Sequence, residues 1–438
     1  MIKEKNTMKK FFAMILALSM LALVLCSCAK TKVEPKVTRG DLPTIEPTNV
    51  KAAGDLLKDF VATEVTGKDA DEKFKSGMLD FAVKLMQNTL DEDKKSSLIS
   101  PLSVIVALGM TSNGAMGETR EEFEKLFGFS VDEANAYLYT LAHSLYSGDK
   151  AKVELANSIW FGKDGRVAVH DDFLQLNKSY YDAQAYEEDF FNQKTVDKIN
   201  KWVSEHTDDM IDEIIDAIDS DTVMILINAL VFDALWSNQY ENFQCEKGVF
   251  TDYDNSKSDA IFMKSKETLI ATKNAIGFRK DYEGSYAFVA MLPDGDVFDY
   301  VASLTGDELG QILSGKKNDY NYRAKAYLPK FEYDYELSLY DALVSMGLKK
   351  AFSPVEADFS GIGDCADNIY IGEVLHKTHI EVTQSGTRAA AVTAVVTEAT
   401  GVEMPKIKTV KLDRPFVYFI VDTNTNLPMF MGVVTEIK

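Results

Sequence analysis

Between Gly386 and Thr400 the chain reads GTRAAAVTAVVTEAT, a run of small and β-branched residues with no proline. Side chains alternate along a strand, so an extended run puts Thr387, Ala389, Ala391 and Thr393 on one side. Arg388, Ala390, Val392, Ala394, Val396 and Glu398 fall on the other. Both charges share a face, and the opposite face is small and neutral. That pattern suits a strand buried in a sheet on one side and close to solvent on the other. The chain then turns loop-like and basic from Gly401 to Lys411, with Pro405 unable to donate to a ladder. Read from these residues alone, the run is an edge strand followed by a turn.

The flanking text changes that reading. HKTHIEV (376–382) precedes the run and DRPFVYFIVDTNTNLPMFMGVV (413–434) follows it. Earlier come ISPLSVIVALGMTSNGAMGETREEF (99–123), INKWVSEHT (199–207) and TVMILINALVFDALW (222–236). AYLPKFEYDYELSLYDALVSMGL (326–348) and AFSPVEADFSGI (351–362) complete the series. In this order the segments resemble the serpins, the serine-protease-inhibitor family, over residues 74–438. The resemblance implies an α+β fold, with a large central β-sheet, surrounding helices, further β-sheets and an exposed reactive loop over about 386–411.

It also implies roles for single residues. Gly386, Thr387, Ala389, Ala390 and Ala391 become the hinge of a loop that inserts into the central sheet once cleaved. Gly386 permits unusual backbone angles, and the small residues after it slide between strands without conflict. Val392 is bulkier than the family's usual residue there. Counting from Gly386 places the reactive bond at Thr400–Gly401, with Ala399, Val396 and Thr397 as alternatives because the loop is long before RPF. All are small or aliphatic, which suits the shallow pocket of an elastase-like or subtilisin-like serine protease rather than an acidic one. Ser100, Ser103, Asn228 and His376 match a buried polar cluster where the sheet opens, and Trp236 matches the residue at the top of that opening. Three positions depart from the family pattern. Gln384 replaces a Glu that would pair with Lys330, Asp233 replaces a Lys, and TDDMI (207–211) lacks the usual Gly-Lys.

The 438 residues are 46% hydrophobic, enough for a large core, and no Pro/Gly/Ser-rich break interrupts 74–438. One large domain is expected. Acidic residues outnumber basic ones 68 to 47, a net charge of −21, which argues against nucleic acid and polyanion cofactors as partners. Helices are expected from Phe74, after Ser100-Pro101 with Ser as cap, and through most of 169–218. Strands are expected at TVMILINALVF, YAFVAML, RAKAYLPKF and the pair FVYFIVD/MFMGVV.

At the N-terminus, Lys9 and Lys10 precede an apolar run from Phe11 to Leu25, too short for a spanning helix, that ends in LCSCAK. This resembles a bacterial lipobox. Residues 1–27 then form a lipoprotein signal peptide and Cys28 is the lipidated first residue of an exported cell-surface or periplasm-facing protein. Residues 28–73 read as a tether, within which GDLLKDFVATEV (54–65) either forms a short helix or docks on the domain. Cys245 and Cys365 remain as the two cysteines free to pair or stay reduced. No GxSxG, HExxH, GxxxxGK[ST] or GxGxxG occurs, and no Cys/His metal spacing, so neither an enzyme nor a metal or cofactor is expected. The expected function is a monomeric suicide-substrate inhibitor of serine proteases. The alternative is a non-inhibitory serpin-fold binding protein on the cell surface.

Overall fold

A computed structural model describes residues 54–387 and 406–437, apart from 92, 146, 147, 149, 164, 220, 221, 366, 367 and 373; for 228 and 229 it describes the backbone alone. Nine helices and eighteen strands are found among these residues. The strands are β1 (Gly54–Asp55), β2 (Ser97–Ile99), β3 (Ala151–Gly162), β4 (Val167–Val169), β5 (Gln184–Glu188) and β6 (Met224–Leu235). They continue as β7 (Cys245–Thr251), β8 (Lys257–Ala271), β9 (Ala275–Asp281), β10 (Tyr286–Pro293), β11 (Asn318–Pro329) and β12 (Phe331–Ser338). The last are β13 (Gly363–Cys365), β14 (Leu375–Val382), β15 (Gly386–Thr387), β16 (Lys406–Lys411), β17 (Phe416–Asp422) and β18 (Leu427–Val434). The helices are α1 (Glu72–Asn88), α2 (Pro101–Ser112), α3 (Gly117–Phe127), α4 (Val131–Ser144), α5 (Asp171–Tyr181), α6 (Gln193–His206), α7 (Val297–Ser303), α8 (Gly306–Leu313) and α9 (Tyr340–Ser345).

Local chemistry explains where the helices begin. The Asp71 carboxylate accepts from the Phe74 N–H and starts α1, and the Ser100 hydroxyl accepts from Ser103 N–H to start α2, with Pro101 in its first turn. Ser130 and Glu133 close a reciprocal capping box on α4. α2 is apolar nearly all round and is buried on nearly every side, as such a helix requires. The stretch 169–218 is less helical than its sequence suggests. Asp182 takes a left-handed conformation (φ 45°) that ends α5, and β5 then pairs in parallel with β3. After α6, Asp208 and Asp209 are left-handed too (φ 50° and 58°), so 207–218 runs on as an irregular cover.

The central sheet has the order β1-β5-β3-β6-β15-β14-β12. A second sheet runs β16-β11-β8-β9-β10-β17-β18-β2, with β7 on β8, and β13 pairs β4. The buried pair β17/β18 is antiparallel, as the sequence predicts. Alternation along β3 sends Ile159 and Phe161 into the main core, which holds α2 between the two sheets, and Trp160 to the opposite face. There Trp160 packs with Ile199, Trp202 and Val203 of α6 and with Ile211, Ile214 and Ile215 of the cover. The architecture is the expected α+β one.

Of the two fates open to 54–65, docking is what the fold shows, and this shortens the tether expected over 28–73. Gly54 and Asp55 add an edge strand to β5, and Leu56 and Leu57 are buried in the main core. Phe60 packs against the same core, and Thr63 bonds to Ser179 through both its N–H and its hydroxyl. The signal segment and Cys28 lie outside the described residues.

Candidate functional site

Strands β6 and β14 should be neighbours in a closed sheet, yet among the described pairings none joins them directly. Among the described residues the strand that links them is β15, two residues long. Gly386 lies opposite Leu235, and Thr387 lies opposite Ala234 on β6 and Val382 on β14, antiparallel to both. The seam thus admits one strand and holds only its first two residues among those described. At the start of the loop expected to be exposed over about 386–411, Thr387 is instead buried, 3% exposed.

The entrance selects its occupant sterically. A Cβ on Gly386 would collide with the Ala234 carbonyl, so the need for glycine is close approach rather than an unusual backbone angle. The Thr387 and Tyr282 hydroxyls share a 2.6 Å hydrogen bond inside the sheet. Burial holds the Tyr282 phenol neutral by raising its pKa far above the usual value. Trp236 stacks on Tyr282 with ring centres 4.1 Å apart, donates its indole N–H to the Thr383 carbonyl, and donates its backbone N–H to the Ser385 carbonyl. The Tyr240 N–H donates to the Gln384 carbonyl. The turn before the hinge is therefore clamped from β6 and the residues just after it.

Beneath this clamp lies a buried cation. Lys280 is 2% exposed, donates to Glu267 at 3.1 Å and to the Asn238 carbonyl at 2.8 Å, and stands 4.3 Å from the Tyr240 ring centre. A buried charge persists only with such partners. Gln384, the departure noted in the sequence, accepts from the Lys330 ammonium at 2.6 Å. A charge-assisted hydrogen bond to a neutral amide stands where the family's ion pair would be.

Further down the seam the expected polar cluster is partly assembled. His376 Nε2 accepts from the Ser100 N–H at 3.1 Å, and the Ser100 hydroxyl accepts from Ser103. All three are buried. Burial drives the His376 pKa down to about 4, so the ring is neutral and free to accept. Asn228 sits opposite Asn157 in the β3–β6 ladder. Trp236 lies at the upper end with the hinge, away from this cluster. A narrow cavity separates Leu230–Phe232 of β6 from His379 and Ile380 of β14 just below Thr387, with Leu98, Ile420 and Phe430 also lining it. A separate cleft of about 590 Å³ is lined by Met224–Ile227, Leu375 and, from the cover, Ile214, Ile215, Ala217 and Ile218.

Ala389, Ala390, Ala391, Val396, Thr397, Ala399, Thr400 and Gly401 lie outside the described residues. Tyr240, Tyr282, Lys280 and Glu267 were not singled out from sequence. One signal was available: Phe278, Lys280 and Tyr282 alternate in register, which places a lysine on an apolar face of β9. Cys245 and Cys365 form no disulfide and lie on β7 and β13 in different sheets. Among the described residues no cluster could hold a metal ion.

Fold and seam together define a class: proteins whose central sheet seats the start of their own loop between two of its strands. The profile of one family, described as Serpin (serine protease inhibitor), matches residues 76–437. Iripin-8 of Ixodes ricinus is 31% identical over 372 residues, covering 81% of this chain and 91% of its own. The crystal structure of tengpin, a thermophilic serpin, in its native state is 42% identical with a TM-score of 0.83, covering 88% of this chain and all of that one. Tengpin in its latent state is 40% identical and covers 85% of this chain and all of that one, with a lower TM-score of 0.75. The chain belongs to the serpin family, whose members are in general inhibitors of serine proteases rather than enzymes.

Proposed function

We propose that this chain inhibits serine proteases as a suicide substrate. The protease attacks the carbonyl of Thr400, or of a neighbour among Val396, Thr397 and Ala399, and forms an acyl-enzyme. The loop then enters the seam behind Gly386 and Thr387 and carries the tethered protease away before water can release it. The observation that supports this most is the seat of Gly386 and Thr387 between β6 and β14, with no pairing between those two strands among the described residues. The residues next in line, Ala389, Ala390 and Ala391, are small enough to follow. Strand addition of this kind draws its free energy from main-chain hydrogen bonds. About a dozen new ladder bonds at ~0.5–1.5 kcal/mol each amount to roughly 6–18 kcal/mol before opposing terms.

The small residues around Thr400 favour elastase-like or subtilisin-like targets. The segment from Lys9 to Cys28 favours an exported lipoprotein anchored through Cys28 and facing the cell surface or periplasm, with the domain itself monomeric. The test is incubation of residues 54–438 with pancreatic elastase and with subtilisin, read on denaturing gels and by intact mass. A covalent one-to-one adduct and a released peptide beginning near Gly401 are expected. Cleavage in the loop by both proteases with no adduct would favour the non-inhibitory binding protein instead.

A further inference from the structure

The outer face of the second sheet next to the loop carries a grid of cations in a chain whose net charge is −21. Strand register fixes the grid. Arg323 on β11 lies opposite Ile407 on β16 and Thr268 on β8, and Thr268 lies opposite Arg279 on β9. Lys325 lies opposite Thr409 and Lys266. Tyr327 lies opposite Lys411 and Lys264. Directly paired residues share a face, so six cations project from one surface while Ala324, Ala326 and Val410 on the other are buried.

Three of the six are neutralised. Lys264 pairs with Glu246, Lys411 with Asp413 and Arg279 with Asp281. Among the described residues no carboxylate pairs with Lys266, Arg323 or Lys325, and all three are exposed. Lys325 and Lys266 stand directly opposite each other, an arrangement that destabilises a sheet. A chain with acidic residues to spare leaves these cations without a direct ion pair, Glu246 acting on Lys325 only at longer range.

Position identifies the occupant. Lys406 opens β16 five residues after Gly401, so the proposed reactive bond lies at most about 17 Å of chain from the edge of the grid. Lys325 and Lys266 are roughly one and two strand spacings of ~4.8 Å further in. A protein docked with a footprint of about 800 Å² is about 30 Å across, enough to cover both. We propose that this face is a docking surface for the acidic surface of the protease that attacks the loop. It sets which proteases reach the loop quickly, and it rests on the reading that the loop is a protease's target.

The probe is subtilisin, unmodified and succinylated, with each preparation normalised to its turnover of a neutral peptide. The rate of attack on the loop is read whether it ends in a covalent adduct or in cleavage. With the wild-type chain at 50 mM salt, succinylated subtilisin is expected to attack the loop at least tenfold faster than the unmodified enzyme, a preference that collapses at 500 mM salt. The variant Lys266→Glu/Arg323→Glu/Lys325→Glu is expected to reverse it, and the milder Lys266→Gln/Arg323→Gln/Lys325→Gln to abolish it with unchanged thermal stability. The overall charge of −21 predicts the opposite preference if the face is idle, so slower attack by the succinylated enzyme on the wild type overturns the proposal. So does a preference that survives both variants. Retention on immobilised heparin at 150 mM salt without any rate preference would assign the face to a polyanion instead. Adduct against cleavage reports separately on the inhibitory reading.

Discussion

Thr387 is the residue on which loop entry turns, because it is both inside the sheet and hydrogen-bonded there to Tyr282. Thr387→Arg would press a charge into a site that is 3% exposed, at a cost of several kcal/mol. The variant is expected to be cleaved by subtilisin without forming adducts, and normal adduct yield would refute the insertion mechanism. His376 sets a pH dependence. Its pKa is about 4 folded against about 6.5 unfolded, so the unfolded chain binds the extra proton between those values. The stability this contributes is complete above pH 6.5 and is lost as pH falls toward 4, on the order of 3 kcal/mol in all. Denaturant titrations across that window should show a flatter profile for His376→Asn than for the wild type. Much at this scale is readable from sequence. Ser100 before Pro101 announces a cap, and Gly386-Thr387 announces a strand entrance. Lys280 and Glu267 are not so readable, because the pairing that lets a lysine stay buried joins two strands and leaves no local trace.

At the scale of elements, two segments without regular pattern turn out to matter. The cover over 207–218 begins with Asp209 in a left-handed conformation where the family commonly has Gly. Asp209→Gly removes that strain and also the exposed bond from the Ser204 hydroxyl, for a net gain of about 0.5 kcal/mol, measurable as a raised denaturation midpoint. The segment 54–57 shows why a short strand escapes sequence reading. Two residues carry no periodicity, and only contact with β5 makes them a strand. Leu56→Asp should lower unfolding stability by about 2–3 kcal/mol, since it replaces a buried side chain with an unpaired carboxylate. An unchanged midpoint would mean that the edge strand contributes nothing in solution.

For the whole molecule, the sequence conveys the order of the parts more clearly than their distances. Motifs spread from Ser100 to Val434 specify which strands form, yet the unjoined seam is a property of two strands far apart in the chain and visible only once they are side by side. Nicking the loop between 388 and 405 should let it complete the seam without other change. The nicked protein is expected to withstand temperatures at which the intact one unfolds, as measured by scanning calorimetry. Equal transitions for the two forms would mean that the nicked loop does not enter the seam.

The seam between β6 and β14 has room for one strand, and the chain carries one strand to fill it. On the proposed mechanism each molecule therefore acts once and cannot be reset. Protection is then a matter of inventory rather than of affinity. A given number of copies neutralises at most that number of protease molecules, and the protection lasts only as long as fresh protein keeps pace with depletion.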